Sequence, residues 1–192
     1  MILLSYRLQL LSLQQCRQHL TNKEWQYAQT LSQKRQLQFC NGRALTRQLL
    51  QQHFCYSVAS VAIELPSDKA PALTVCHQPW HLSISHSGQV VAVAVSKKSR
   101  LGLDVEKIKS RNIAEFSAEY AALTNADNLT AFYRCWTAAE AYSKYSAEPL
   151  LSVLQQPLAK EVQYKHLLLS GYMLCLCSKQ NNVQYLIYED NI

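Results

Sequence analysis

Glycine and proline are scarce in this chain, four and five of 192 residues, and the glycines fall into no phosphate-binding pattern. Neither GxGxxG nor a GxxxxGK loop followed by Ser or Thr occurs, which excludes the dinucleotide fingerprint and the P-loop. No CxxC pair exists either. The seven cysteines, Cys16, Cys40, Cys55, Cys76, Cys135, Cys175 and Cys177, are odd in number and sit mostly among apolar neighbours. That argues against a zinc ribbon or a disulfide framework, and for small buried thiols in a reducing compartment. No long block of lysine and arginine marks a nucleic-acid tail. The formal charge of +6 therefore points to smaller anionic partners, a phosphorylated molecule or an acidic protein. No segment approaches the ~20 continuous apolar residues of a membrane span, and the opening MILLSYRLQLLSLQQC has no basic leader. The expectation is a cytoplasmic protein with neither membrane nor nucleic acid as partner.

What is present is the material of a core. Hydrophobic residues make up 48% of the 192, enough for one substantial domain or two small ones packed together. ILLSYRLQL alternates and predicts a first strand. From Thr21, an N-cap, the composition is helical and predicts two helices over 21–31 and 33–52, with a bend or short break at Asn41-Gly42. HLSISHSG, QVVAVAVSKK and RLGLDVE read as strands, the last two separated by the basic turn Lys97 to Arg100. Helices follow over NIAEFSAEYAALT and NLTAFYRCWTAAEAYSKYS, then strands in VQYKHLLLSGYMLCLCSKQ and VQYLIYED. Ser87-Gly88 with QVVAVAVSK resembles Ser170-Gly171 with YMLCLCSK. This echo predicts an α+β protein of duplicated halves, 1–98 and 99–192, hinged at the basic turn with Asp104 and Glu106 beside the cleft between them.

Asp104 and Glu106 stand two residues apart on a strand, so they share a face. Two readings are open. The pair forms part of an oxygen cage for Mg²⁺, with Glu140 of TAAEAY as the third acid, or it is a strand end in solvent, paired with Lys107, Lys109 or Arg111. Trp136, Glu140 and Lys144 are spaced i, i+4, i+8 and lie on one side of their helix. His86 of HLSISHSG offers a donor to a phosphate or plays a structural part; nothing at suggestive spacing builds a Ser-His nucleophile. Arg35, Arg43 and Arg47 lie along helical turns, fit to collect a phosphate or to form an ordinary solvated face.

HLSISHSG, LGLDVEKIKSRN and FYRCWTAAEAYSK, in this order and spacing, together resemble the 4′-phosphopantetheinyl transferase superfamily, in its Sfp-like branch. KRQLQFCNGRALTR is similar to that branch's N-terminal basic helix, so the resemblance covers most of the chain. It implies a monomer of two similar α+β halves with pseudo-twofold symmetry, the 4′-phosphopantetheinyl transferase fold. It implies transfer of phosphopantetheine from coenzyme A to a serine of an acidic acyl or peptidyl carrier protein, with Mg²⁺ or Mn²⁺, releasing adenosine 3′,5′-bisphosphate. By the same resemblance the metal-binding acids fall on Asp104, Glu106 and Glu140. The histidine that contacts phosphate falls on His86, the lysine that meets the pyrophosphate on Lys144, and an arginine near the 3′-phosphate on Arg43. The general base matches Glu119 of FSAEY.

The family's W-x-x-K-E pattern is broken here, because Ala139 stands where the lysine is usual. Its loss implies weaker neutralisation of phosphate or weaker activation of the serine, hence a slower or narrower enzyme. The alternative is a carrier-protein or coenzyme A binding module that has kept the fold without turnover. A metal-dependent nuclease ranks third, since no stripe of charge tracks a phosphate backbone.

Overall fold

The computed structural model describes residues 1–66, 71–180 and 182–187, the last three by their backbone alone, and has a mixed α+β fold with two β-sheets. The chain divides into two units at Lys98 and Ser99. The first opens on β1 (Ile2–Arg7), buried along its whole length. Three helices follow, α1 (Leu13–Arg17), α2 (Asn22–Ala28) and α3 (Gln33–Phe54). Thr21 caps α2 as expected, in a reciprocal box with Glu24. Then come short β2 (Val61–Ile63) and β3 (Leu73–Val75), and the hairpin β4 (Gln78–Ser87) and β5 (Val90–Ser96). β5 is apolar from Val90 to Val95 because both its faces are buried, and α3 covers the face of Val91, Val93 and Val95 with Leu45 and Leu49.

The expected break in α3 does not occur. Asn41 is buried, donates to the carbonyls of Leu11 (3.0 Å) and Leu37 (2.9 Å), and accepts from the Leu11 amide at 2.7 Å. Gly42 packs against the Ile84 side chain of β4. Both residues serve docking contacts whose gain exceeds their poor helix propensity, about 1 kcal/mol for glycine.

The second unit runs β6 (Leu101–Lys107), α4 (Ile113–Glu119), α5 (Leu129–Ser146), α6 (Leu150–Leu154), β7 (Gln163–Leu169) and β8 (Tyr172–Ser178). Its sheet has the order β6-β8-β7, antiparallel throughout, and α5 lies along β6 and β8. Asn128 caps α5 by accepting from the Ala131 amide at 2.9 Å, and Ala147 ends it at φ 65°.

The last strand, β9 (Val183–Ile187), differs from the expected 99–192 half. It pairs in parallel with β1, extending the first unit's sheet to β2-β3-β4-β5-β1-β9. β1 is paired with β5 along one edge only, so its other edge needs a strand to satisfy buried backbone groups. Residues 188–190 of the expected VQYLIYED strand lie outside the described residues. All seven cysteines are free thiols, but Cys55 and Cys76 are exposed rather than buried. Among the described residues no helix is long and apolar enough to cross a membrane.

Candidate functional site

β6 turns Gly102, Asp104 and Glu106 toward α5. The approach is as close as backbones permit. A methyl group on Gly102 would collide with the Ala141 carbonyl oxygen and stand 2.6 Å from the Tyr145 amide nitrogen. Glu140 and Lys144, flanking that contact on α5, are thereby brought down over Asp104. Lys144 Nζ donates to Asp104 Oδ1 at 2.8 Å and to the Leu103 carbonyl at 2.9 Å.

Carboxylate oxygens of Asp104, Glu106 and Glu140 lie within 4.8 Å of one another. Asp104 is only 1% exposed, so the strand-end-in-solvent reading fails at this residue. The crowding is visible in Glu140, whose carboxyl is pushed up to about 8. Burial is the largest cause; the charge and hydrogen bond of Asp104 and the charge of Glu106 add to it, while Lys144 works against them. Three acids competing for one small space, with one pushed to hold a proton at neutral pH, are a donor set suited to a hard divalent cation.

Ala139 is fully buried among Leu123, Phe132, Leu154 and Met173. This position belongs to the apolar core, so alanine there leaves no gap in the charges around Asp104. Trp136 stacks on Phe132 (5.9 Å, 16°) and meets Phe116 edge-on. With Glu106, Arg111 and Tyr133 these rings line a cavity of about 270 Å³. Tyr133 ties the loop after β6 to α5: its hydroxyl accepts from the Lys109 amide at 3.1 Å and donates to the Lys109 carbonyl at 3.2 Å. Glu119, at the end of α4, is exposed and hydrogen-bonds the Tyr120 hydroxyl; it is not one of the three converging carboxylates.

His86 and Arg43 belong to the first unit, where they line a cavity of about 430 Å³ with Arg35, Phe39 and Ile84. His86 is exposed at the end of β4. The row Arg35, Arg43 and Arg47 is not one solvated face, because only Arg35 is exposed. Arg43 places Nε 3.2 Å from Glu24 Oε1, donates to the Glu64 carbonyl at 2.7 Å, and lies 3.7 Å over the Phe39 ring. Its burial lowers it to about 10 despite the Glu24 charge. Arg47 contacts both Glu24 oxygens, at 3.0 and 3.1 Å, and the Val61 carbonyl at 3.0 Å. Glu24 was the residue to find, and the TxxE spacing from Thr21 was its signal.

No protein-family model matches the chain, and no curated protein matches it.

Proposed function

We propose that this protein is a 4′-phosphopantetheinyl transferase, moving phosphopantetheine from coenzyme A to the serine of an acyl or peptidyl carrier protein. The observation that carries the reading is the convergence of Asp104, Glu106 and Glu140 with Lys144 on one strand–helix seam. The finer fold reading has support within each unit. Both run strand, helix, hairpin: β1, α3, β4–β5 in one and β6, α5, β7–β8 in the other. In each the first strand pairs antiparallel with the second hairpin strand, and the hairpins turn at Gly88 (φ 58°) and Gly171 (φ 71°). Duplicated halves of a monomer follow that pattern.

Asp104, Glu106 and Glu140 would hold Mg²⁺ or Mn²⁺. The bound cation supplies charge neutralisation at the pyrophosphate oxygens of coenzyme A. Lys144 offsets the carboxylate charge and faces the phosphates. Within the first unit, the His86, Arg43 and Arg35 cavity offers donors to a phosphate group, with exposed Arg35 as its freest cation and Arg43 held in place by Glu24. Glu119 accepts the serine proton, the serine oxygen bonds to phosphorus, and adenosine 3′,5′-bisphosphate leaves with the electron pair of the broken P–O bond. Exposed Lys107, Lys109 and Arg111, just past Glu106, attract an acidic carrier helix.

The test is incubation with coenzyme A, Mg²⁺ and a broad panel of apo carriers, read by mass spectrometry. A gain of one phosphopantetheine on a carrier, lost on Asp104→Ala, is the expected result. No gain on any carrier would sink the catalytic reading, and carrier capture without mass gain would make the protein a binding module instead.

A further inference from the structure

We infer that the first unit carries a separate binding site for a small aromatic anion, at the end of β4 remote from His86. This site is independent of the transferase reading. Its walls come from four elements. α3 ends in a left-handed residue, Cys55 at φ 59°, which sets Phe54 and Tyr56 on either side of the turn. Trp80 of β4 meets Phe54 edge-on (5.4 Å, 82°) and Tyr56 likewise (6.3 Å, 87°). Leu3 of β1 and Val95 of β5 close the floor of a cavity of about 370 Å³. Trp80 and His86 are six residues apart on one extended strand, roughly 20 Å.

The rim is cationic. Ser96 Oγ donates to the Met1 carbonyl at 3.0 Å and accepts from the Lys98 amide at 3.3 Å, fixing the turn that carries Lys97 and Lys98 to the cavity mouth. Both lysines are exposed, and among the described residues neither is in an ion pair. Among the described residues no Asp or Glu lines the cavity. The three rings pack on the core yet stay only partly buried, and they share the lining of the cavity with both lysines. A cavity of this size suits a small molecule. Its rings favour a flat aromatic body by edge-to-face or offset stacking, and its rim favours a carboxylate or phosphate on that body.

The experiment is calorimetric titration of the full chain with 2-naphthoate and 2-naphthyl phosphate, with neutral 2-naphthol as control. Saturable one-to-one binding of at least one anion is expected, and the tighter of the two identifies the anionic group. The double variant Lys97→Gln/Lys98→Gln, changed only at the surface, should bind about tenfold more weakly, the scale of two exposed charge contacts. Trp80→Leu should weaken both anions too, and circular dichroism separates this from misfolding. Naphthol binding as tightly as the anions, unchanged affinity in the lysine double variant, or no saturation by either anion would each overturn the site.

Discussion

Glu140 links the candidate site to stability through a single proton. In chelator, the folded protein keeps this proton up to about pH 8, while an ordinary carboxyl releases it near 4.5. Between those values the folded state binds more protons than the unfolded one, so its stability is full below the lower value and falls as pH rises through the upper. Thermal denaturation in chelator should show that decline, and Glu140→Gln should flatten it. A slope unchanged in the variant would assign the titration to another group. Ala139 gives the complementary residue-scale prediction. Placing a lysine there, Ala139→Lys, buries an ammonium among Leu123, Phe132 and Met173. Urea denaturation should show a loss on the order of 3 kcal/mol, from overpacking and an unpaired buried charge, with no gain in transfer. Faster transfer by this variant would show that position 139 reaches the phosphates after all.

At the scale of elements, the seam between β6 and α5 is what assembles the carboxylates. Gly102→Ala would push α5 away from β6, because the obstacle is backbone and cannot swing aside. It should cost about 1–3 kcal/mol and diminish the rise in melting temperature on adding Mg²⁺ that the proposed cation site predicts for the unmodified protein. Gly42→Ala is the control: there the obstacle is the Ile84 side chain of the first unit, which contributes none of the three carboxylates, so stability falls but the Mg²⁺ response should survive. Equal Mg²⁺ responses in the two variants would detach the site from the seam. Elements of this kind were legible in sequence. Period two put Asp104 and Glu106 on one face, and i, i+4, i+8 spacing put Glu140 and Lys144 on another. What joins those faces is Gly102, whose meaning depends on a helix some forty residues downstream. The false break in α3 arose the same way, since the Leu11 backbone that satisfies Asn41 is 30 residues away. β2 and β3 have three residues each, too few for a period to register.

At the scale of the molecule, local patterns stop being informative, because long-range pairing decides. Nothing in VQYLI specifies a parallel partnership with β1; the open edge of β1 does. Arg43 and Arg47 read as a solvated basic row because their partner, Glu24, is on another helix. That network and the carboxylate cluster lie in different units, and every member of the cluster comes from the second. Glu24→Gln leaves two buried guanidinium groups with half their compensation. It should therefore cost on the order of 3–5 kcal/mol in urea denaturation. The Mg²⁺-induced rise in melting temperature should remain, since Asp104, Glu106, Glu140 and Lys144 make none of the contacts removed. On the transferase reading proposed above, coenzyme A affinity should fall in the same variant, because Arg43 loses the carboxylate that holds it in its cavity. If affinity persisted while stability dropped, Arg43 would be a core residue only, and the phosphate contact proposed for this cavity would fall to Arg35 and His86.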